Sequence, residues 1–557
     1  MKKIALLLLL IASTYQGFAC TNLLAGKGAT VDGSTMITYA ADSYWLYGAL
    51  YNYPAQTYPE GTMLDIYEWD TGKYLGQIKQ ARQTYSVIGN MNEFQVAIAE
   101  TTFGGRPELV DTTGIIDYGS LMYIALQRSR TAREAIQVMT SLVEEYGYYS
   151  SGESFSIADP NEIWIMEMIG KGPGNKGAVW VAMRMPDDHI AAHANHARIT
   201  TFPFDDRNNC LYSVDIISFA REKGYFKGRN TEFSFSDVYA PINYGKLRAC
   251  EARVWSFFRQ NNVEMEKYYS YVTGETVERM PLWIKPERKL SLHDMKRFMR
   301  DQYEGTALDI TQGFGAGKYG SKLRLTPLSF QVDGETYYHE RPIATQQTGF
   351  SFVAQMRSWL PSYIGGILWF GVDDAKFSVY TPMYCGINGV PECYSEDNGS
   401  LLEYSPTSAF WIYNQVSNYV YPRYSLMIED VEKTQQHWEN HFSAMIPGVD
   451  QAARKLPEAD ARAFLTTFSH SMATSSTAAW KKLWEYLMVK YLDGVIKGEK
   501  DGKFMMNHMK IPEGLIRPGY SEDYLRQMVK EQPELRAKTP EELQKRRSME
   551  STQPVQP

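Results

Sequence analysis

The chain has 557 residues, of which 44% are hydrophobic and 22% charged, with a formal net charge of −7. That composition belongs to a globular protein rather than a disordered one, and the length calls for one large elaborated body or two smaller ones. With an acidic balance and no dense Lys/Arg stripe, nucleic acid is excluded as a partner.

The chain begins with Met1-Lys2-Lys3, a basic stretch, followed by an apolar run from Ile4 to Ala12 and a polar segment that ends in Ala19-Cys20. Gly17 and Ala19 are the small residues a signal peptidase reads, so residues 1–19 are expected to be a secretory signal peptide and the protein periplasmic or secreted. The apolar run is about half of the roughly 20 residues a bilayer span needs, which argues against stable membrane insertion. Cleavage after Ala19 would leave Cys20 as the first residue, with a thiol and a free α-amine on one residue. An amine of pKa about 8 is a ready general base for its own nucleophile. Lipidation of Cys20 is the less favoured reading, because lipoprotein processing prefers a branched aliphatic residue where Gly17 stands.

From Cys20 to about Val110 the pattern reads as strands and turns, with Thr35 to Tyr39 following an Asp32-Gly33-Ser34 turn and Val96 to Ala99 forming another short strand. Tyr118 to Tyr146 takes helical spacing for two helices. Strands return at Phe155 to Ala158, Glu162 to Met168 and Ala178 to Arg184. The stretch from Asp205 to Asp309 is mixed, and Ser329 to Tyr384 is again strand-rich. Helices are expected at Ser408 to Tyr419, Tyr424 to Ser443, Asp450 to Leu465 and Thr474 to Leu492. Thr539-Pro540 reads as an N-cap with proline in the first turn, and Ser551 to Pro557 as a frayed tail. The domain reading is a signal peptide over 1–19, a catalytic body over 20–405 and a helical C-terminal region with a tail over 406–557.

Two strands joined around Asp32-Gly33 would bring their outer ends together, placing Asp42 near the amine of Cys20. His193-Ala194-Asn195-His196 lacks the glutamate of a zinc-protease helix, so no metal is assigned to it; Asn195 is of interest as an amide donor to an oxyanion. His437 and His441 read as a solvated helix face. Gly313 to Lys318 fails the phosphate-loop pattern, and no Gly-x-Ser-x-Gly elbow is present. Setting Cys20 aside, four cysteines remain in a chain bound for an oxidising compartment. The favoured pairs are Cys385 with Cys393 and Cys210 with Cys250, against the alternative that all four are buried thiols.

Cys20-Thr21, Asp32-Gly33-Ser34-Thr35, Asp42-Ser43, Met91-Asn92-Glu93, Val96 to Thr101, Phe155 to Pro160, Glu162-Ile163-Trp164, Ala194-Asn195-His196, Arg300 to Thr306, Leu368 to Val372 and Pro382-Met383-Tyr384 occur in an order that resembles the C69 dipeptidases. These are N-terminal nucleophile hydrolases of the penicillin V acylase and choloylglycine hydrolase superfamily. The resemblance implies an α+β fold, an αββα sandwich with a helical C-terminal elaboration here, and cysteine-type hydrolysis of the amide bond of dipeptides without a cofactor. It assigns Cys20 as nucleophile, Asp42 as the group orienting its amine, Asn195 as oxyanion donor, Arg253 as an active-site arginine, and Thr101 or Thr102 as the neighbourhood of a second oxyanion position. One departure stands out: Tyr39 occupies the place where such relatives carry arginine, so Arg198 or Arg253 would have to substitute, or the substrate range differs. The rival activities are N-acyl amide hydrolysis and, from another class, a lipidated non-catalytic surface binding protein.

Overall fold

The computed structural model describes residues 20–550; the expected signal peptide and the tail from Ser551 lie outside the described residues. In chain order the strands of the two main sheets are β1 (Asn22–Ala25), β2 (Thr35–Asp42), β3 (Asn52–Tyr53), β4 (Val87–Ile88), β5 (Met91–Asn92), β6 (Ala97–Gly104), β7 (Gly152–Ala158), β8 (Ile163–Gly170), β9 (Ala178–Arg184), β10 (Ile190–His193), β11 (Cys210–Tyr212), β12 (Trp283–Ile284), β13 (Thr348–Met356), β14 (Gly366–Val372) and β15 (Thr381–Tyr384). Among the described residues, one sheet has seven strands in the order β12-β10-β1-β2-β13-β14-β15, and the other has eight in the order β11-β9-β8-β7-β6-β5-β4-β3. All of these pairings are antiparallel.

The central strands carry near-continuous apolar runs such as Ile163-Trp164-Ile165-Met166 and Ile367-Leu368-Trp369-Phe370, and β2, β7, β8, β13 and β14 are buried along their whole length. Strands with no solvent face need no polar alternation, which explains the pattern. Polar groups caught between the sheets are paired across them. Thr35 Oγ1 donates to Asp159 O at 2.6 Å, and the His193 ring lies 2.7 Å from both Thr101 Oγ1 and Ser156 Oγ.

Helices α1 (Tyr118–Arg128) and α2 (Ala132–Tyr146) pack on β6 and β7 respectively. The Asp117 carboxylate caps α1 through Gly119 N and Ser120 N, and Thr131 caps α2, which ends at Gly147 with φ 80°. On the seven-stranded sheet, α3 (Ala252–Arg259) packs against β10. The C-terminal helices are longer than the sequence spacing suggests. α4 (Ala409–Val420) agrees with expectation, but α5 (Tyr424–Ala453) continues through Pro447, and α6 (Glu458–Lys490) joins two expected helices into one of 33 residues. The break falls instead at Pro457, the residue just before α6, where a proline costs the helix no hydrogen bond. Near the end, Pro540–Glu550 is helical and Glu542 N donates to Thr539 Oγ1, as the N-cap reading expects.

The expected disulfides are corrected: all five cysteines are free thiols. Cys210 stands on β11, at the edge of the eight-stranded sheet, whereas Cys250 lies in the π-helical turn before α3, which packs on the other sheet. Cys385 Sγ donates to Ser362 O at 3.2 Å, while Cys393 lies in the short Glu392–Tyr394 turn. Chain spacing cannot supply a bridge that needs Cα atoms roughly 4.4–6.8 Å apart.

The C-terminal helices share the core of the sheets. Trp480 of α6 is fully buried, stacks on Tyr413 of α4 with ring centroids 4.9 Å apart, and donates from Nε1 to Phe377 O at 2.9 Å. Trp480→Ala is expected to destabilise the protein by about 3–5 kcal/mol, read as a lower denaturation midpoint of the whole chain. Loss of the α4–α6 signal alone, with the rest unshifted, would show that these helices fold independently.

Candidate active site

The β1–β2 hairpin puts Cys20 next to the end of β2. Leu24 pairs with Ile37, and one turn of pairing earlier Thr21 and Ala40 exchange backbone hydrogen bonds at 3.2 and 3.0 Å. Cys20 thus lies beside Ala41 and Asp42, and the Asp42 backbone N–H points to its sulfur. The side chain is 5% exposed. Its Sγ sits 3.4 Å from Glu100 Oε1 and 3.8 Å from Tyr39 Oη, and the Tyr39 phenol donates to the same Glu100 oxygen at 2.5 Å. Burial pushes the Cys20 thiol well above its usual range, and the Glu100 and Asp42 carboxylates push it further; the Asp42 N–H and Tyr39 pull the other way.

Asp42 is brought to Cys20, but its carboxylate is engaged from the far side. Thr348 Oγ1 donates to Oδ1 at 2.6 Å, and Arg341 forms an ion pair with Oδ2. Burial raises the pKa of Asp42 and the Arg341 guanidinium opposes the rise. Arg253, 1% exposed, ties the site together. Its Nη1 donates to Cys20 O and Thr21 Oγ1, both at 2.7 Å, and its Nη2 donates to Asn195 Oδ1 at 3.0 Å. Burial lowers its pKa to about 10, so it remains a cation at neutral pH.

Asn195 adopts a left-handed backbone with φ 58°, a conformation asparagine tolerates better than most residues. Its Nδ2 donates to Thr102 O at 2.9 Å. Of the two threonine candidates, Thr101 spends its hydroxyl on His193, whereas Thr102 lines the cavity beside Cys20. Arg198 is held elsewhere, paired with Glu251 at 3.0 Å and with the Ala192, Leu282 and Pro281 carbonyls. Of the two arginines considered for the place of Tyr39, Arg253 is therefore the one in contact with Cys20. His193 is held neutral by burial, which lowers its pKa to about 3.

Spacing alone missed Glu100, Glu153, Asp70, Arg341 and Thr348. Glu100 did carry a signal, a charged residue inside the apolar run of β6. Arg341 and Thr348 carry none, because about 300 residues separate them from Asp42. The cavity at Cys20 is also lined by Asp70, Thr102, Tyr118 and Tyr123, and measures about 60 Å³. One water needs roughly 10–15 Å³ in this measure, so the space suits one end of a small molecule.

A buried thiol at the wall of a small cavity, with N–H donors and carboxyls converging on it, has the equipment of a cysteine hydrolase. The sequence comparisons are specific. The model of peptidase family C69 matches residues 19–437. The chain belongs to that family and is a hydrolase of the peptidase class. Similar proteins include a "Probable dipeptidase" of Latilactobacillus sakei, 25% identical over 85% of this chain and 95% of the relative. Another "Probable dipeptidase", from Salmonella dublin, is 26% identical over 66% of this chain and 81% of its own. A "Probable dipeptidase A" of Streptococcus pyogenes serotype M1 is 23% identical over 78% and 89%.

Because the Glu100 carboxylate raises the thiol pKa, Glu100→Gln is expected to move the pH midpoint of Cys20 alkylation by iodoacetamide to lower pH. An unchanged or higher midpoint would mean that Glu100 does not act on the thiol electrostatically.

Proposed function

We propose that the protein is a cysteine-type dipeptidase whose nucleophile, Cys20, becomes the N-terminal residue when the signal peptide is removed during export to the periplasm or beyond. The observation that carries this reading is the seat of Cys20, at the end of the β1–β2 pair, facing a cavity sized for a small substrate. The family match begins at residue 19, beside the expected cut. The relatives named as dipeptidases cover most of the chain, which favours dipeptides over N-acyl amides. The two facing antiparallel sheets, with α1 and α2 on one and α3 on the other, are read as the αββα sandwich of N-terminal nucleophile hydrolases.

In this mechanism the freed α-amine takes the Cys20 proton as sulfur attacks the scissile carbonyl. A raised thiol pKa leaves no standing thiolate, so deprotonation must accompany attack, which is the task of a base on the same residue. Arg253 fixes the Cys20 carbonyl and the Asn195 amide in one frame. The Asn195 amide and a backbone N–H stabilise the oxyanion. The protonated amine then gives its proton to the departing amine, and water releases the acyl-enzyme.

Cys20→Ser is expected to abolish dipeptide hydrolysis, and a chain with one extra residue before Cys20 to lose at least a hundredfold in kcat. Asn195→Ala should lose about a hundredfold or more in turnover. Intact mass should give a mature chain starting at unmodified Cys20. A diacylglyceryl group on that sulfur, or full activity of the extended chain, would sink the proposal.

A further inference from the structure

Two glutamates meet behind the thiol, and neither has a cation. Strand alternation turns Thr101 toward His193 and sends its neighbours Glu100 and Thr102 to the other face of β6, toward Tyr118 of α1. On the adjacent strand β7, Glu153 pairs with Thr102 and Phe155 with Glu100. The two glutamates are therefore diagonal neighbours on one face, a spacing that long side chains bridge. Their carboxyl groups lie within hydrogen-bonding reach of one another, and the Thr102 side chain bonds Glu153. Both are 1% exposed. Glu100 Oε1 accepts from Tyr39 Oη and Cys20 Sγ, whereas no N–H, alcohol or phenol reaches Glu100 Oε2 or Glu153 Oε2. Asp42 has Arg341, but among the described residues no ion pair involves either glutamate.

One proton satisfies both orphaned oxygens. An ionised carboxylate only accepts, whereas a protonated carboxyl also donates, so a hydrogen held between the two Oε2 atoms serves the pair. Two ionised carboxylates in contact would repel each other with no cation to offset their burial. Two neutral ones would leave Tyr39 and Cys20 without a charged acceptor at Oε1. The surroundings assign the proton to Glu153. Burial raises its proton affinity and the Glu100 charge raises it further; burial also raises that of Glu100, but the hydrogen bonds from Glu153, Tyr39 and Cys20 hold it down. The other ionisable groups around the pair are the carboxyls of Asp42, Asp70 and Asp117 and the phenols of Tyr118 and Tyr148, none of which brings a positive charge.

We propose that Glu100 and Glu153 share a single proton, carried by Glu153, and that Glu153 is thereby a positioning residue, keeping Glu100 ionised and fixed as the acceptor that holds the Cys20 thiol. The consequence for turnover rests on the reading of Cys20 as nucleophile; the proton count does not. Without a donor at position 153, Glu100 takes up the proton itself, and the bond from Sγ loses its charged acceptor. With the shared proton gone, a second charge stands behind the thiol. The site works while the pair is singly protonated.

Infrared spectra of the mature enzyme test the proton, and kinetics test the role. At pH 8 Asp70, Glu167 and Asp373, each raised by burial to about 7, are mostly ionised. A neutral-carboxyl C=O band is expected to remain there in the wild-type enzyme and to be missing from Glu153→Gln. In dipeptide hydrolysis Glu153→Leu, which removes the donor, is expected to lower kcat at least tenfold with KM within about twofold. Glu153→Gln, whose amide N–H takes the donor's place, should restore most of that loss. In a Glu100→Gln background Glu153→Leu should cost far less, because its effect runs through Glu100. An absent band, or one that survives Glu153→Gln, would overturn the shared proton. Equal losses for the Leu and Gln variants, or the same loss in both backgrounds, would overturn the positioning role. Should Glu153→Leu not fold, a tenfold loss of kcat in Glu153→Gln would overturn that role as well. Hydrolysis by Cys20→Ser at the wild-type rate, with the band intact, would refute the nucleophile reading and leave the proton count standing, so the two failures are distinguishable.

Discussion

The site depends on the antiparallel register of β1 and β2. Because Leu24 faces Ile37 and Thr21 faces Ala40, Cys20 arrives opposite Ala41, within reach of the neighbouring Asp42 backbone N–H. A slip of one residue would turn every side chain of the hairpin over and remove the thiol from the cavity. The register is fixed from several directions: β10 pairs with β1 through Asn22 and His193, β13 pairs with β2 along its length, and Leu23 N donates to Thr38 Oγ1 at 2.9 Å. The wide sheets thus hold a four-residue strand still.

Arg253 extends that order from the backbone to the groups around Cys20. One guanidinium donates to the Cys20 carbonyl, the Thr21 hydroxyl and the Asn195 amide oxygen. Its planar fork suits this better than an ammonium would, since the acceptors lie in fixed directions. Asn195 in its turn needs the left-handed backbone at the end of β10 to present its amide toward Thr102. Positioning therefore runs from sheet register to Cys20, then through Arg253 to Asn195.

Much of this was legible in the sequence, and the limits follow from what sequence can encode. The hairpin was readable because Asp32-Gly33 marks a turn between apolar runs, and the burial of both neighbours kept the register strict. Central strands showed as apolar runs. The helix break at Pro457 was misplaced because Pro447 sits inside a helix whose packing outweighs the lost hydrogen bond. Cys210 and Cys250 looked pairable only while their sheets were unknown. The partners of Asp42 were invisible for the same reason: Arg341 and Thr348 reach it through β13, which joins β2 only when the chain is folded.

The substitution of a tyrosine for an expected arginine has a consistent electrostatic meaning. An arginine at position 39 would bring a positive charge to Glu100, which the Tyr39 side chain now reaches. Tyr39 instead gives Glu100 a hydrogen bond and brings no positive charge. Burial first, and then the Glu100 and Asp42 carboxylates, raise the Cys20 pKa, so the pocket disfavours a resting thiolate. A cation beside the sulfur would oppose that rise.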